Sequence, residues 1–132
     1  MKHTRVFVFG NPDIAMDALP LKILPALRTQ FPTLTFETLD PNEEWDVSKH
    51  MLIIDTIVNT KTPTIVRDLD AFMAAPRMSC HDFDAYANLM LMKKLGKIQN
   101  VTILGLPPTL ATQEALQQLI PLLNQELETD VV

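Results

Sequence analysis

The sequence predicts an α/β fold: a three-layer α/β/α sandwich around a mostly parallel central sheet. Three observations predict it. Val6-Phe7-Val8-Phe9, Met51-Leu52-Ile53-Ile54 and Val101-Thr102-Ile103-Leu104 are short, nearly continuous apolar runs, the pattern of strands covered on both faces. Segments with helical spacing alternate with them, which favours helices packed on both sides of one sheet. Turn residues, Gly10-Asn11-Pro12-Asp13 and Pro107-Pro108, punctuate the runs where a strand must give way to a loop.

The first strand covers Val6 to Phe9 and ends at Gly10. A helix is expected to begin near Asp17, whose carboxylate suits an N-cap. Leu19, Ile23, Leu24 and Leu27 then fall on one face. Pro20 is tolerable in a first turn, whereas Pro25 lies deeper and is expected to kink or shorten the helix. Leu34, Phe36 and Leu39 predict a second strand of about six residues, and Asp40 to Trp45 a polar loop or short helical turn. Met51 to Ile54 form the third strand, closing on Asp55. Thr64-Ile65-Val66 reads as a short edge strand, because Pro63 has no N–H to give a ladder. After the polar stretch Met78-Ser79-Cys80-His81-Asp82, a helix is expected from around Asp82 to Asp84, turning Leu89, Met92 and Leu95 inward and capped by Gly96. Val101 to Gly105 give the last strand. The final helix is expected from about Thr112 to Glu128, with Leu116, Leu119, Ile120 and Leu123 apolar and a kink at Pro121.

At 132 residues the chain is expected to form a single domain, residues 1–132, large enough to bury a core without staples. Apolar residues make up 47% and charged residues 20%, ordinary for a globular protein. The net charge of −5 and the absence of a Lys/Arg cluster argue against a nucleic-acid surface. One cysteine, Cys80, excludes an internal disulfide framework and suits a reducing cytoplasm. No apolar run approaches the ~20 residues of a membrane span, and Val6 to Phe9 is too short for a signal-peptide core. The expected protein is cytoplasmic, without membrane insertion, and monomeric.

Ligands of open α/β sheets gather at the carboxyl ends of the strands. Three polar groups are expected there: Asp17 after the first strand, Asp55 closing the third, and His81 before a helix. Two carboxylates and an imidazole from separate segments can converge on a divalent metal and leave coordination positions open. Each also has a structural reading, Asp17 and His81 as helix caps and Asp55 as a cap for the loop that follows. Cys80 is adjacent to His81 in sequence, where side chains generally diverge, so a bystander role is expected rather than a thiol nucleophile. Trp45 is expected to anchor its loop, the methionines to fill the core, and His3 and His50 to lie near strand starts. Gly10-Asn11 lacks both the glycine spacing and the lysine of a phosphate loop.

The series of motifs resembles the nickel–iron hydrogenase maturation peptidases. Phe9-Gly10-Asn11-Pro12-Asp13-Ile14-Ala15-Met16-Asp17 is similar to that family's opening, a strand, Gly-Asn, and an acidic pair before the first helix. Met51-Leu52-Ile53-Ile54-Asp55 resembles its second motif, Ser79-Cys80-His81-Asp82 its third, and Val101 to Pro107 its last strand. The chain departs from the pattern at Met16, where the family has an acidic residue, and at Ala18 and Pro20, where it favours glycines.

The resemblance implies a phosphorylase/hydrolase-like sandwich and a metal-dependent endopeptidase. Its substrate would be a nickel-loaded hydrogenase large-subunit precursor, from which it removes a C-terminal extension. Asp17, Asp55 and His81 would be both the catalytic and the metal-touching residues, with Asn11 and Asp40 toward the substrate. The nickel would be supplied by the substrate, and other divalent metals would bind in vitro. The competing expectation is a non-catalytic binding module of the same fold that recognises a precursor or another partner. A nucleotide-binding domain is a third, disfavoured by the missing phosphate loop.

Overall fold

The three long apolar runs become adjacent strands because each can bury both faces only at the centre of a sheet. The computed structural model describes residues 4–38, 45–58, 60–67, 69–70 and 80–128, with the side chains of 80–84 outside that description. The strands are β1 (Arg5–Val8), β2 (Thr35–Thr38), β3 (His50–Thr56), β4 (Thr64–Val66) and β5 (Asn100–Leu106). They lie in the order β2-β1-β3-β5-β4. β1, β2, β3 and β5 are parallel. β4 runs antiparallel to β5 at the edge, where the sequence puts it. The α/β expectation with a mostly parallel sheet holds.

Helices α1 (Leu19–Gln30), α2 (Cys80–Lys94) and α3 (Thr112–Glu128) cover the faces. Alternation along β1 and β3 separates the two cores, since successive side chains point to opposite faces. Val6, Val8, Leu52 and Ile54 meet Ile23 and Leu27 of α1 and Leu119 and Leu123 of α3. Phe7, Phe9, Met51 and Ile53 meet Ala85, Tyr86 and Leu89 of α2 on the other side.

Several local expectations need correction. α1 begins at Leu19, with Ala18 rather than Asp17 at the N-cap. Pro25 does not shorten α1, which runs on to Gln30, and α3, where the sequence predicts only a kink at Pro121, runs on to Glu128. Both prolines are exposed, and the buried stripes of α1 and α3 continue past them. α2 begins at Cys80, so His81 lies in a first helical turn and not in the loop before it. Leu95 is 63% exposed rather than inward. The helix has ended by then, and Gly96, with φ of 80°, is the C-terminal glycine cap the sequence predicts. Trp45 is buried and packs on Phe9 at 5.9 Å between ring centroids, the anchor expected of it. His50 opens β3 as expected. His3 lies outside the described residues.

One ion pair ties the edge of the sheet to a helix. Glu126 of α3 is buried, and Arg67, just past β4, bonds to its Oε1. Arg67→Ala leaves that carboxylate without its cation and is expected to cost about 1–3 kcal/mol. Urea unfolding of the variant beside the wild type measures it.

Candidate active site

The sheet order places a seam between β1 and β3. From β1 the chain goes through α1 to β2 on one side. From β3 it goes through β4 and then α2 to β5 on the other, and α1 and α2 cover opposite faces. Where strand order reverses in this way, the connections part and leave a crevice at the carboxyl ends. Asp17 follows β1 and Asp55 lies at the end of β3. Both carboxylates stand at that seam.

The turn after β1 explains how Asp17 gets there. The Asn11 side chain accepts a hydrogen bond from the Asp13 N–H at 3.0 Å, an Asx turn. The chain then makes a single 3₁₀ turn, Ala15–Asp17, and the Asn11 N–H donates to the Asp17 carbonyl at 2.9 Å. Gly10 permits this closure, because a Cβ there would lie 2.9 Å from the same carbonyl oxygen. The loop thus folds back over the top of its own strand and delivers Asp17 to a fully buried position, 0% exposed.

A buried carboxylate needs donors, and Thr56 and Tyr86 supply three of them. The Thr56 hydroxyl donates to Asp17 Oδ1 at 2.7 Å. The Thr56 N–H donates to Asp55 Oδ1 at 2.8 Å. The Tyr86 hydroxyl, from α2, donates to Asp55 Oδ2 at 2.7 Å. Tyr86 is itself buried and packs edge-on against Phe9, with ring centroids 5.2 Å apart. Asp55 is 2% exposed. Asp17 and Asp55 are therefore joined through Thr56 into one network built from three segments of chain.

The sequence pointed to Asp17 and Asp55, and the structure brings them together. The cap reading of Asp17 fails, since Ala18 is the N-cap of α1 and Asp17 Oδ1 accepts the Thr56 hydroxyl instead. Asn11 lies in the same loop, its side-chain oxygen engaged in the Asx turn. The side chains of His81 and Cys80 lie outside the described residues, as does Asp40. Among the described residues, no three of His, Cys, Asp and Glu gather closely enough to hold a metal ion. No helix among them is long and apolar enough to cross a membrane.

Thr56 and Tyr86 were not singled out from the sequence. Faint signals existed: Thr56 directly follows the strand-end Asp55, and Tyr86 is the chain's one tyrosine. A tyrosine set among core residues generally needs a partner for its hydroxyl. Met16, beside Asp17, is 43% exposed and forms part of the outer surface of the same loop.

Among solved structures, the chain is similar to the hydrogenase maturating endopeptidase HybD from E. coli. The two align with a TM-score of 0.59 and 21% identity over 92% of this chain and 93% of that one. The fold is that of the hydrogenase maturating endopeptidase. A solution structure of an endopeptidase from Escherichia coli aligns equally well, with a TM-score of 0.58 and 20% identity over 92% of this chain and 88% of the other. Neither a protein-family model nor a curated protein sequence matches the chain. In this maturating-endopeptidase fold the seam between β1 and β3 holds the acidic network, and α2 lies over it on the Asp55 side.

Proposed function

We propose that the chain is a hydrogenase maturation endopeptidase that removes a C-terminal extension from a nickel-loaded large-subunit precursor. The observation that carries this reading is the pair Asp17 and Asp55, buried at the switch point of the sheet and joined through Thr56. Burying two carboxylates is costly unless hydrogen bonds or a cation offset it, and two acidic groups held together at a switch point suit a cation-bearing substrate. The fold that surrounds them is shared with HybD along almost the whole length of both chains.

In this reading the nickel ion comes with the precursor and belongs to the substrate. The donors from Thr56 and Tyr86 orient the two side chains. Carboxylate and imidazole both suit Ni²⁺. His81, in α2, is the third residue of the set. A site completed only by a loaded substrate makes cleavage conditional on loading. The ion would supply Lewis-acid chemistry, polarising the scissile carbonyl or activating water. The protein would supply orientation and a water-poor floor.

Incubation of the purified protein with nickel-loaded and nickel-free precursor tests this. Loss of the C-terminal mass in the loaded sample alone is the expected result, and equal cleavage of both would remove the metal-reading step. Met16, exposed where the family pattern has an acid, favours a second reading: a non-catalytic module that binds the precursor. Stable binding of the loaded precursor without any loss of mass would establish that reading instead.

A further inference from the structure

Asp17 and Asp55 reach the seam from different segments, yet one residue touches both. Thr56 gives its hydroxyl to Asp17 and its backbone N–H to Asp55, while Tyr86 takes the other oxygen of Asp55. We propose that Thr56 and Tyr86 are positioning residues that set the mutual orientation of the two carboxylates for a divalent cation. Thr56 acts as the shared strut and Tyr86 as the lock on Asp55. The inference rests on the peptidase reading and deepens it.

Three features make the strut stiff. Thr56 lies in β3, opposite Leu106 of β5, and the next N–H, that of Ile57, continues the ladder to the Leu106 carbonyl at 2.9 Å. Its side chain is β-branched and so confined at χ1. Its hydroxyl is buried with the carboxylate it serves. Tyr86 has no more freedom, since its ring is buried against Phe9. With donors on both oxygens, the plane of the Asp55 carboxylate is fixed, and through Thr56 so is its relation to Asp17. Independent donors would have satisfied the two buried charges equally well. A shared donor makes the geometry of one carboxylate depend on that of the other.

The measurement is titration calorimetry of the purified full chain with Ni²⁺ or Cd²⁺ alone, beside thermal unfolding. Outer partners of metal ligands typically alter affinity by about 10–100-fold, and a loss in that range is expected for Thr56→Val. Thr56→Ser keeps the hydroxyl and is expected to bind as the wild type does, although loss of its methyl group lowers the melting temperature. Tyr86→Phe is expected to weaken binding as well, and it carries the comparison should Thr56→Val fail to fold. A purely structural role would lower the melting temperature of Thr56→Val and leave cation affinity unchanged. That outcome overturns the proposal, as does Thr56→Ser binding as weakly as Thr56→Val. A wild-type chain with no affinity for either cation overturns it too. The peptidase reading would then still stand or fall on precursor cleavage, which is measured separately.

Discussion

Asp17→Asn and Asp55→Asn are each expected to lower kcat/KM for precursor cleavage at least about a thousandfold, or ~4 kcal/mol at 1.36 kcal/mol per decade, with the fold intact. Asparagine has nearly the shape of aspartate and keeps one carbonyl oxygen. At position 17 that oxygen can still accept the Thr56 hydroxyl. At position 55 it can still accept the Thr56 N–H, while the Tyr86 oxygen turns from donor to acceptor for the new amide N–H. Packing and hydrogen bonding therefore survive, and what disappears is the charge that a nickel-bearing substrate would meet. Circular dichroism and urea unfolding check the fold, and the precursor's mass reports cleavage. Variants that process loaded precursor within a few-fold of the wild type would remove these two residues from the reaction.

Gly105→Ala is expected to be among the more damaging single changes to stability, at about 1–3 kcal/mol for overpacking a tight contact. A Cβ at position 105 would lie 2.6 Å from Cγ2 and 2.9 Å from Cβ of Ile57. Ile57 is β-branched and cannot swing its Cβ aside, so the backbone after β3 must move. Gly105 is also the register partner of Asp55, and the displacement falls beside the candidate site. Activity should therefore drop together with the unfolding midpoint. Ile57→Ala in the Gly105→Ala background removes the nearer methyl and should restore part of both. A Gly105→Ala chain with wild-type stability would contradict the close approach.

What the sequence made legible follows from which forces are local. β1, β3 and β5 stood out because a strand covered on both faces must be apolar throughout, and α3 because its stripe spans several turns. The start of α2 was placed too late, because Cys80-His81-Asp82-Phe83-Asp84 carries no apolar stripe from which to read a helix. Asp17 read equally well as a cap, since nothing local announces that its loop folds back over Gly10. The bonds that distinguish site from cap join residues 39 and 31 apart, beyond any periodicity. Thr56 and Tyr86 were missed for the same reason: one resembles a strand residue and the other a core aromatic. Asp55 was easier, because a carboxylate closing an apolar strand is conspicuous by itself.

The ladder between β3 and β5 has a consequence for synthesis on the ribosome. Each residue of β3 pairs with the one fifty places further along, from His50 with Asn100 to Thr56 with Leu106. Asp17 and Asp55 are therefore translated long before the strand that braces them, and closing so long a loop is entropically slow. A nascent chain halted at Gln99 should show no cooperative unfolding and no divalent-cation affinity in pulse proteolysis and calorimetry, whereas one carried through α3 should show both. Cooperative folding of the halted chain would refute this order. The chain would thus gain its acidic pair only as the last strand docks, after most of the protein has left the ribosome.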